Sequence, residues 1–295
     1  MRRGGAGFAA IALAAMAAAW LARPVAGVEE KSAVPAPSGP ESAAPAAPPA
    51  PGEAAAPEPT LDPDAVEVLR NMVKALIGAQ TLRVKVDEEY DALQSDGETF
   101  SFGKSASMLL RRPDRLRVEG ADRAGNDRLW TYDGKQLTVY NSDRNVFAAV
   151  EQSGDIDAVM DFLRDEVGMK MPLAPLFSTD LRALLLDNVT TATFVDEEVL
   201  DGVELDHIAF QYGDGIGVQL WIPSKGDALP RRMVMTFEDA RGRPQFRADF
   251  REWDLDPKLK DSAFHFEAPK GARAVPFVLP KRTTTPAGAS GEAPK

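Results

Sequence analysis

His207 and His265 are the two histidines of the chain, and imidazole is the side chain that changes charge nearest neutral pH. Ile208 and Phe210 take one side of a strand and leave His207 with Ala209 and Gln211 on the other. Phe264 and Phe266 do the same for His265, so both imidazoles are expected to face outward on strands. A zinc site would need further nitrogen or sulfur ligands, and the sequence offers no cysteine, so no metal is expected. Asp206-His207 has the composition of half an acid–base pair, yet no serine in an elbow motif accompanies it. Hydrolysis would require a polar cleft bringing His207 within hydrogen-bond reach of carboxylates.

Carboxylates are plentiful, as in Asp165-Glu166 and Asp196-Glu197-Glu198. Neighbouring carboxylates on turns are normally solvated surface, and linear spacing does not single out a glycosidase pair. Asp254, Asp256 and Asp261 have the spacing of oxygen ligands, but the glycine and terminal glutamate of an EF-hand loop are missing and Pro257 interrupts the run. They read as a capped turn. Gly213, Gly215 and Gly217 precede a strand and not a helix, so the dipole that cradles phosphate is lacking and a wide hairpin is expected. No catalytic residue and no cofactor follow from these motifs.

The elements that carry these residues begin after a long leader. Met1-Arg2-Arg3, an apolar run from Phe8 to Leu21 and the small residues around Val25-Ala26-Gly27 form the pattern of an export signal over residues 1–27. The rival reading is an uncleaved inner-membrane anchor, since the run lies near the lower length limit for a span, although its alanines make it weakly hydrophobic. Both place the rest in the periplasm. Residues 28–60 are dense in proline and alanine and read as an extended linker; residues 278–295 read as a disordered tail. The folded domain should cover residues 61–277. With no cysteine it must be held by its core alone, which a domain of roughly two hundred residues can do. The formal charge of -11, with arginines scattered among acids, argues against nucleic acid as a partner.

Within the domain, Asp62 and Pro63 start a helix whose apolar stripe runs through Val68, Leu69, Met72, Val73 and Leu76 to Gly78. Period-two alternation then marks six strands between Thr81 and Val150. Asp133-Gly134 is expected to form a type I′ turn, with both residues at positive φ. A helical insert follows: Asp155 caps a helix through Val167, Pro172 and Pro175 interrupt it, and a short helix ends at Leu185. Five more strands occupy Ala192 to Trp253, with Asp201-Gly202 at one hairpin. The fold class is α+β and mainly β: a curved antiparallel sheet, an unclosed β-barrel, covered by an N-terminal helix and a helical insert.

The second meander has a recognisable order of short motifs. Residues Asp201 to Phe210 (DGVELDHIAF), Gln219-Leu220-Trp221-Ile222, Leu229-Pro230-Arg231-Arg232-Met233 and Trp253 to Phe266 (WDLDPKLKDSAFHF) follow one another. Upstream stand Arg112-Pro113-Asp114-Arg115-Leu116-Arg117, Tyr132-Asp133-Gly134 and Pro172-Leu173-Ala174-Pro175-Leu176. Together they resemble the predicted periplasmic proteins grouped as domain of unknown function 2092, over nearly all of residues 61–277. That family is similar in architecture to the outer-membrane lipoprotein carriers and receptors of the LolA/LolB kind. The resemblance implies an unclosed barrel lidded by helices over an apolar cavity. Relatives commonly carry a cysteine where Leu205 stands, so no thiol chemistry is implied here.

What remains is an apolar inventory. Alternation assigns Val84, Val86, Met108, Leu116, Trp130, Tyr132, Ile208, Phe210, Leu220, Ile222, Met233, Met235, Phe246 and Phe250 to one inner face. Leu173, Leu176 and Phe177 join them from the proline-broken stretch 169–177, a lid candidate. These seventeen are the expected ligand-binding residues, unless the two helical elements cover them all. The expected function is non-catalytic binding of an apolar ligand or a lipoprotein acyl chain. The alternative is an envelope sensor or interaction module that binds a protein segment at a sheet edge.

Overall fold

The computed structural model describes residues 60–213 and 215–280, so the expected export signal, most of the linker and most of the tail lie outside it. Helix α1 spans Pro63–Gly78. The Asp62 carboxylate accepts a hydrogen bond from the Asp64 amide at 2.9 Å, and Pro63 occupies the first turn, where its missing N–H leaves no bond unmade. The stripe Leu69, Met72, Val73 and Leu76 is buried.

The first meander contains β1 (Thr81–Leu93), β2 (Thr99–Arg111), β3 (Arg115–Asp122), β4 (Asp127–Tyr132), β5 (Gln136–Asn141) and β6 (Val146–Glu151). The second contains β7 (Val189–Leu200), β8 (Val203–Tyr212), β9 (Ile216–Pro223), β10 (Arg232–Phe237) and β11 (Gln245–Asp254). β1 joins them by pairing with β11, so Val86 stands opposite Ala106 on one side and Phe250 on the other. With a short twelfth strand, β12 (Arg273–Ala274), the result is one sheet in the order β12-β6-β5-β4-β3-β2-β1-β11-β10-β9-β8-β7. Its two edges are β12 and β7, so it does not close.

The insert between β6 and β7 holds α2 (Ile156–Asp165), α3 (Ala174–Phe177) and a π-helical turn, Ala183–Asp187. Asp155 caps α2 by accepting from the Ala158 amide at 2.9 Å. Polar contacts tie the insert to the first meander. Tyr132 donates its hydroxyl to the Gly154 carbonyl at 2.8 Å, and the Ile156 amide donates to the Pro113 carbonyl at 2.8 Å. Arg112 donates to the Ala79 carbonyl, just past α1, and to the Phe177 carbonyl, at 3.2 and 3.0 Å.

Three expectations are corrected. At Asp133-Gly134 only the glycine has positive φ, 87°. Asp133 instead accepts from the amides of Lys135 and Gln136 through its side chain, which closes the turn without a left-handed aspartate. Asp201 and Gly202, at 52° and 78°, do both adopt the left-handed conformation. His265 is not in a strand: it follows a 3₁₀ helix, Asp261–Phe264, in a segment crossing the outer face of the first meander. There Phe264 lies under the Arg111 guanidinium, 5.2 Å from its ring centre, and Phe266 packs on Tyr140 and Phe147. Lastly, that segment ends in a twelfth strand, β12 (Arg273–Ala274), parallel to β6 in a sheet expected to be antiparallel.

Candidate functional site

The inner faces of β8, β9 and β10 form the floor of a cavity. Their register sets Phe210 opposite Val218, Val218 opposite Met235 and Leu220 opposite Met233, a continuous apolar patch. Met72 of α1 meets its edge. Pro172, Pro175 and Leu176 of the insert and Leu184 and Leu185 of the π-helical turn stand across from it. Between them lies a cavity of about 640 Å³, within the ~300–1,000 Å³ typical of small-ligand sites. Leu184, Asp187, Asn188 and Thr190 line it and are exposed, so the opening lies beside the π-helical turn. That turn has a local cause of closure, since the Asn188 side chain donates to the Ala183 carbonyl at 3.2 Å.

Five of the seventeen expected residues, Leu176, Phe210, Leu220, Met233 and Met235, line this cavity. Val84, Val86, Met108, Leu116, Tyr132, Leu173, Phe177, Ile208, Ile222, Phe246 and Phe250 are in the packed core, and Trp130 is half-buried against it. The cavity also recruits residues outside that set: Met72, Leu184, Leu185, Val189, Tyr212, Ile216 and Val218. Val218 has the same parity as Leu220 and follows from alternation. The π-helical turn leaves no comparable trace in the sequence.

The inner face changes character past Val86. Glu88 and Lys104 face each other across β1 and β2 and form an ion pair at 2.9 Å, with side chains only 9% and 17% exposed. Asp122 stands opposite Lys104 on β3. Burial would raise the Asp122 carboxyl, but hydrogen bonds from the Asn126 side chain and from the Asn126 and Ala124 amides outweigh it and hold it below the usual carboxylate range. Arg128 extends the charged rows onto β4, where burial lowers its guanidinium despite nearby Asp122. Deeper on the first meander, burial and then Asp114 push the Tyr132 hydroxyl upward, which suits its role as a donor to Gly154.

His207 lies on the other face of the sheet. Its ring stacks on Trp221 with centroids 4.1 Å apart, and it is buried, not a surface group. Nε2 lies 3.0 Å from Gln219 Oε1, and Nδ1 lies 3.2 Å from both Asp196 Oδ1 and Glu198 Oε1. Asp206 does not pair with His207, because successive residues of a strand point to opposite faces, and it accepts from the Ser224 hydroxyl instead. His207 therefore does reach carboxylates, but outside the cavity, and these neighbours include no hydroxyl nucleophile.

Among the described residues, no helix is long and apolar enough to cross a membrane. No curated protein matches the chain in sequence. Among solved structures it is similar to the lipoprotein LppX of Mycobacterium tuberculosis, at 17% identity and a TM-score of 0.41, over 66% of this chain and 100% of that one. It is similar to LprF of Mycobacterium bovis at 14% identity and a TM-score of 0.40, over 72% and 99% of the two chains. A LolA superfamily protein from Nitrosomonas europaea aligns at 12% identity and a TM-score of 0.30, over 68% and 97%. Residues 65–278 match the family described as predicted periplasmic protein, domain of unknown function 2092, and the chain belongs to that family.

Proposed function

We propose that this chain is a non-catalytic periplasmic binding protein for an apolar or acylated ligand, held between the floor of β8–β10 and the insert. The observation that carries the reading is the cavity itself, lined mostly by aliphatic, methionine and proline side chains and open beside Leu184. Burying an acyl chain contributes about 0.8 kcal/mol per CH₂, so a short stretch of chain supplies useful affinity without polar contacts. Met72, Met233 and Met235 give the walls three unbranched, polarizable side chains, which adapt to ligands of differing shape. A lipoprotein acyl chain is the occupant that best suits the periplasm.

The test is native mass spectrometry, then organic extraction, on the chain purified from a periplasm. Co-purifying acyl chains are expected in the parent and should be lost in Leu184→Glu and Met235→Glu. Leu184 is 42% exposed, so its substitution blocks the mouth without disturbing a packed core. A clean apo mass that takes up no fatty acid on addition would overturn the reading. It would favour the protein-interaction alternative, which has one observation behind it: the edge strand β7 exposes Val195 and Val199, a surface suited to strand addition by an envelope protein.

A further inference from the structure

Strand β7 departs from regular alternation at two points, between Val189 and Thr191 and between Phe194 and Asp196, and the second bears on His207. Phe194 pairs with Ile208, but the next paired residue is Asp196, opposite His207, so Val195 is an extra residue in the ladder. Unbroken alternation from Phe194 would send Asp196 and Glu198 to the inner face. The bulge turns both onto the outer face with His207, an effect for which bulges are known beside functional sites. The imidazole they meet is already fixed. Its side chain is 10% exposed, its ring lies flat on Trp221, and its Nε2 faces Gln219 Oε1 at 3.0 Å.

An N–H at Nε2 donating to Gln219 leaves a lone pair at Nδ1 in the neutral ring. That lone pair points at two carboxylate oxygens, both 3.2 Å away, which cannot donate to it. With the ring in that tautomer three electron-rich atoms converge on one point, where either a proton on Nδ1 or a metal ion would relieve them. The spacing fits a metal: two ligand atoms ~2.1 Å from one ion, at angles between octahedral and tetrahedral, lie ~3.0–3.4 Å apart. A metal-bound histidine ordinarily donates its other ring N–H to an oxygen, and Gln219 Oε1 stands 3.0 Å from Nε2 in position to accept it.

We propose that Asp196, Glu198 and His207 form a binding site for a divalent first-row transition ion, with zinc the apt probe. One imidazole among the donors disfavours calcium and magnesium, which take oxygen ligands. Solvent reaches the site, because the Asp196 and Glu198 side chains are 57% and 44% exposed, and water completes the coordination. The ion would staple the edge strand β7 to β8, on the face opposite the cavity, and it is independent of any ligand bound there.

The full chain, stripped with chelator and titrated with zinc chloride at neutral pH, tests this by calorimetry and native mass spectrometry. One ion per chain is expected. Asp196→Asn and Glu198→Gln, near-isosteric changes at exposed positions, should each weaken binding at least about tenfold. His265→Ala removes the second imidazole, which pairs with Asp133 elsewhere, and should leave zinc binding unchanged. Nitrogen-15 NMR of the ring should show zinc shifting Nδ1 while the Nε2 proton stays. The proposal fails if zinc does not bind, if both carboxylate variants bind it as the parent does, or if His207 carries protons on both nitrogens in the presence of zinc.

Discussion

The insert meets the two halves of the sheet in different ways. Over the first meander it is bolted down: Tyr132, Arg112 and the Pro113 carbonyl hold residues 154, 156 and 177, and α2 packs Ile156, Val159 and Leu163 into the core. Over β8–β10 it presents two prolines and a π-helical turn, and a cavity remains. Short of the charged rows around Glu88 and Lys104, the same alternation supplies apolar side chains to both halves, so the sheet is not the source of the difference. What differs is the cover. A regular helix offers a continuous apolar stripe that fills the space above a sheet, whereas Pro172 and Pro175 prevent one from forming here. An empty space is thus a consequence of broken periodicity in the lid, not of special residues in the floor.

The sharpest test of that comparison sets two residues of neighbouring strands on one face against each other. Phe250 is fully buried in the packed region, and its replacement by alanine should cost about 3–5 kcal/mol. Met235 faces the cavity and is half-buried, so Met235→Ala removes contacts on one side only and should cost about 1 kcal/mol. Urea unfolding of both variants measures the gap. Equal costs would mean that the floor of β10 is as tightly packed as β11, and the contrast between the halves would collapse.

A smaller effect is expected at the bolt itself. Arg112 is a half-buried guanidinium, lowered by desolvation with Asp157 opposing, and it serves two carbonyls from distant segments, Ala79 and Phe177. Arg112→Met keeps most of the packing and removes both hydrogen bonds, so a loss of about 2–3 kcal/mol is expected in urea unfolding. Limited proteolysis should then cut within the insert sooner than in the parent. A loss below about 0.5 kcal/mol, within the range of surface changes, would show apolar contact alone holding the insert over both halves.

Much of this arrangement was legible from local pattern. The Asp62-Pro63 start and Gly78 end of α1, eleven strands and the capped α2 follow from caps, turns and period-two alternation, because those signals depend on residues close in sequence. What escaped depends on partners far away. Glu88 and Lys104 sit on the inner face although neither is apolar, and only their pairing across β1 and β2 permits it. The bulge at Val195 is invisible without β8, and with it the meeting of Asp196, Glu198 and His207. In the segment from Leu255 to Ala274 the apparent alternation at Phe264 and Phe266 misleads, because the segment lies across the outer face and is held by single contacts such as Arg117 to the Ala263 carbonyl. Seventeen inner residues could be named, but which of them line a cavity was decided by the lid.

The smallest expected effect is a pH dependence at the seam between the halves. Asp91 lies near the end of β1 on the outer face and accepts from Ser101 of β2, from the Gln245 amide and from Arg247 of β11. Burial alone would raise its carboxyl, but these hydrogen bonds and the Arg247 charge outweigh it and hold the group below its ordinary value. A depressed folded value means that ionised Asp91 stabilises the fold fully above the unfolded value, about 3.9, and loses that contribution as pH falls through the folded one. Asp91→Asn should therefore be less stable than the parent at pH 7, with the deficit shrinking only below about pH 4. Urea unfolding of both proteins from pH 7 to pH 2.5 measures it. A deficit that stays constant down the series would assign Asp91 a neutral hydrogen-bonding role, and the seam would then owe its strength to the ladder of β1 and β11 and the packing of Val86 against Phe250.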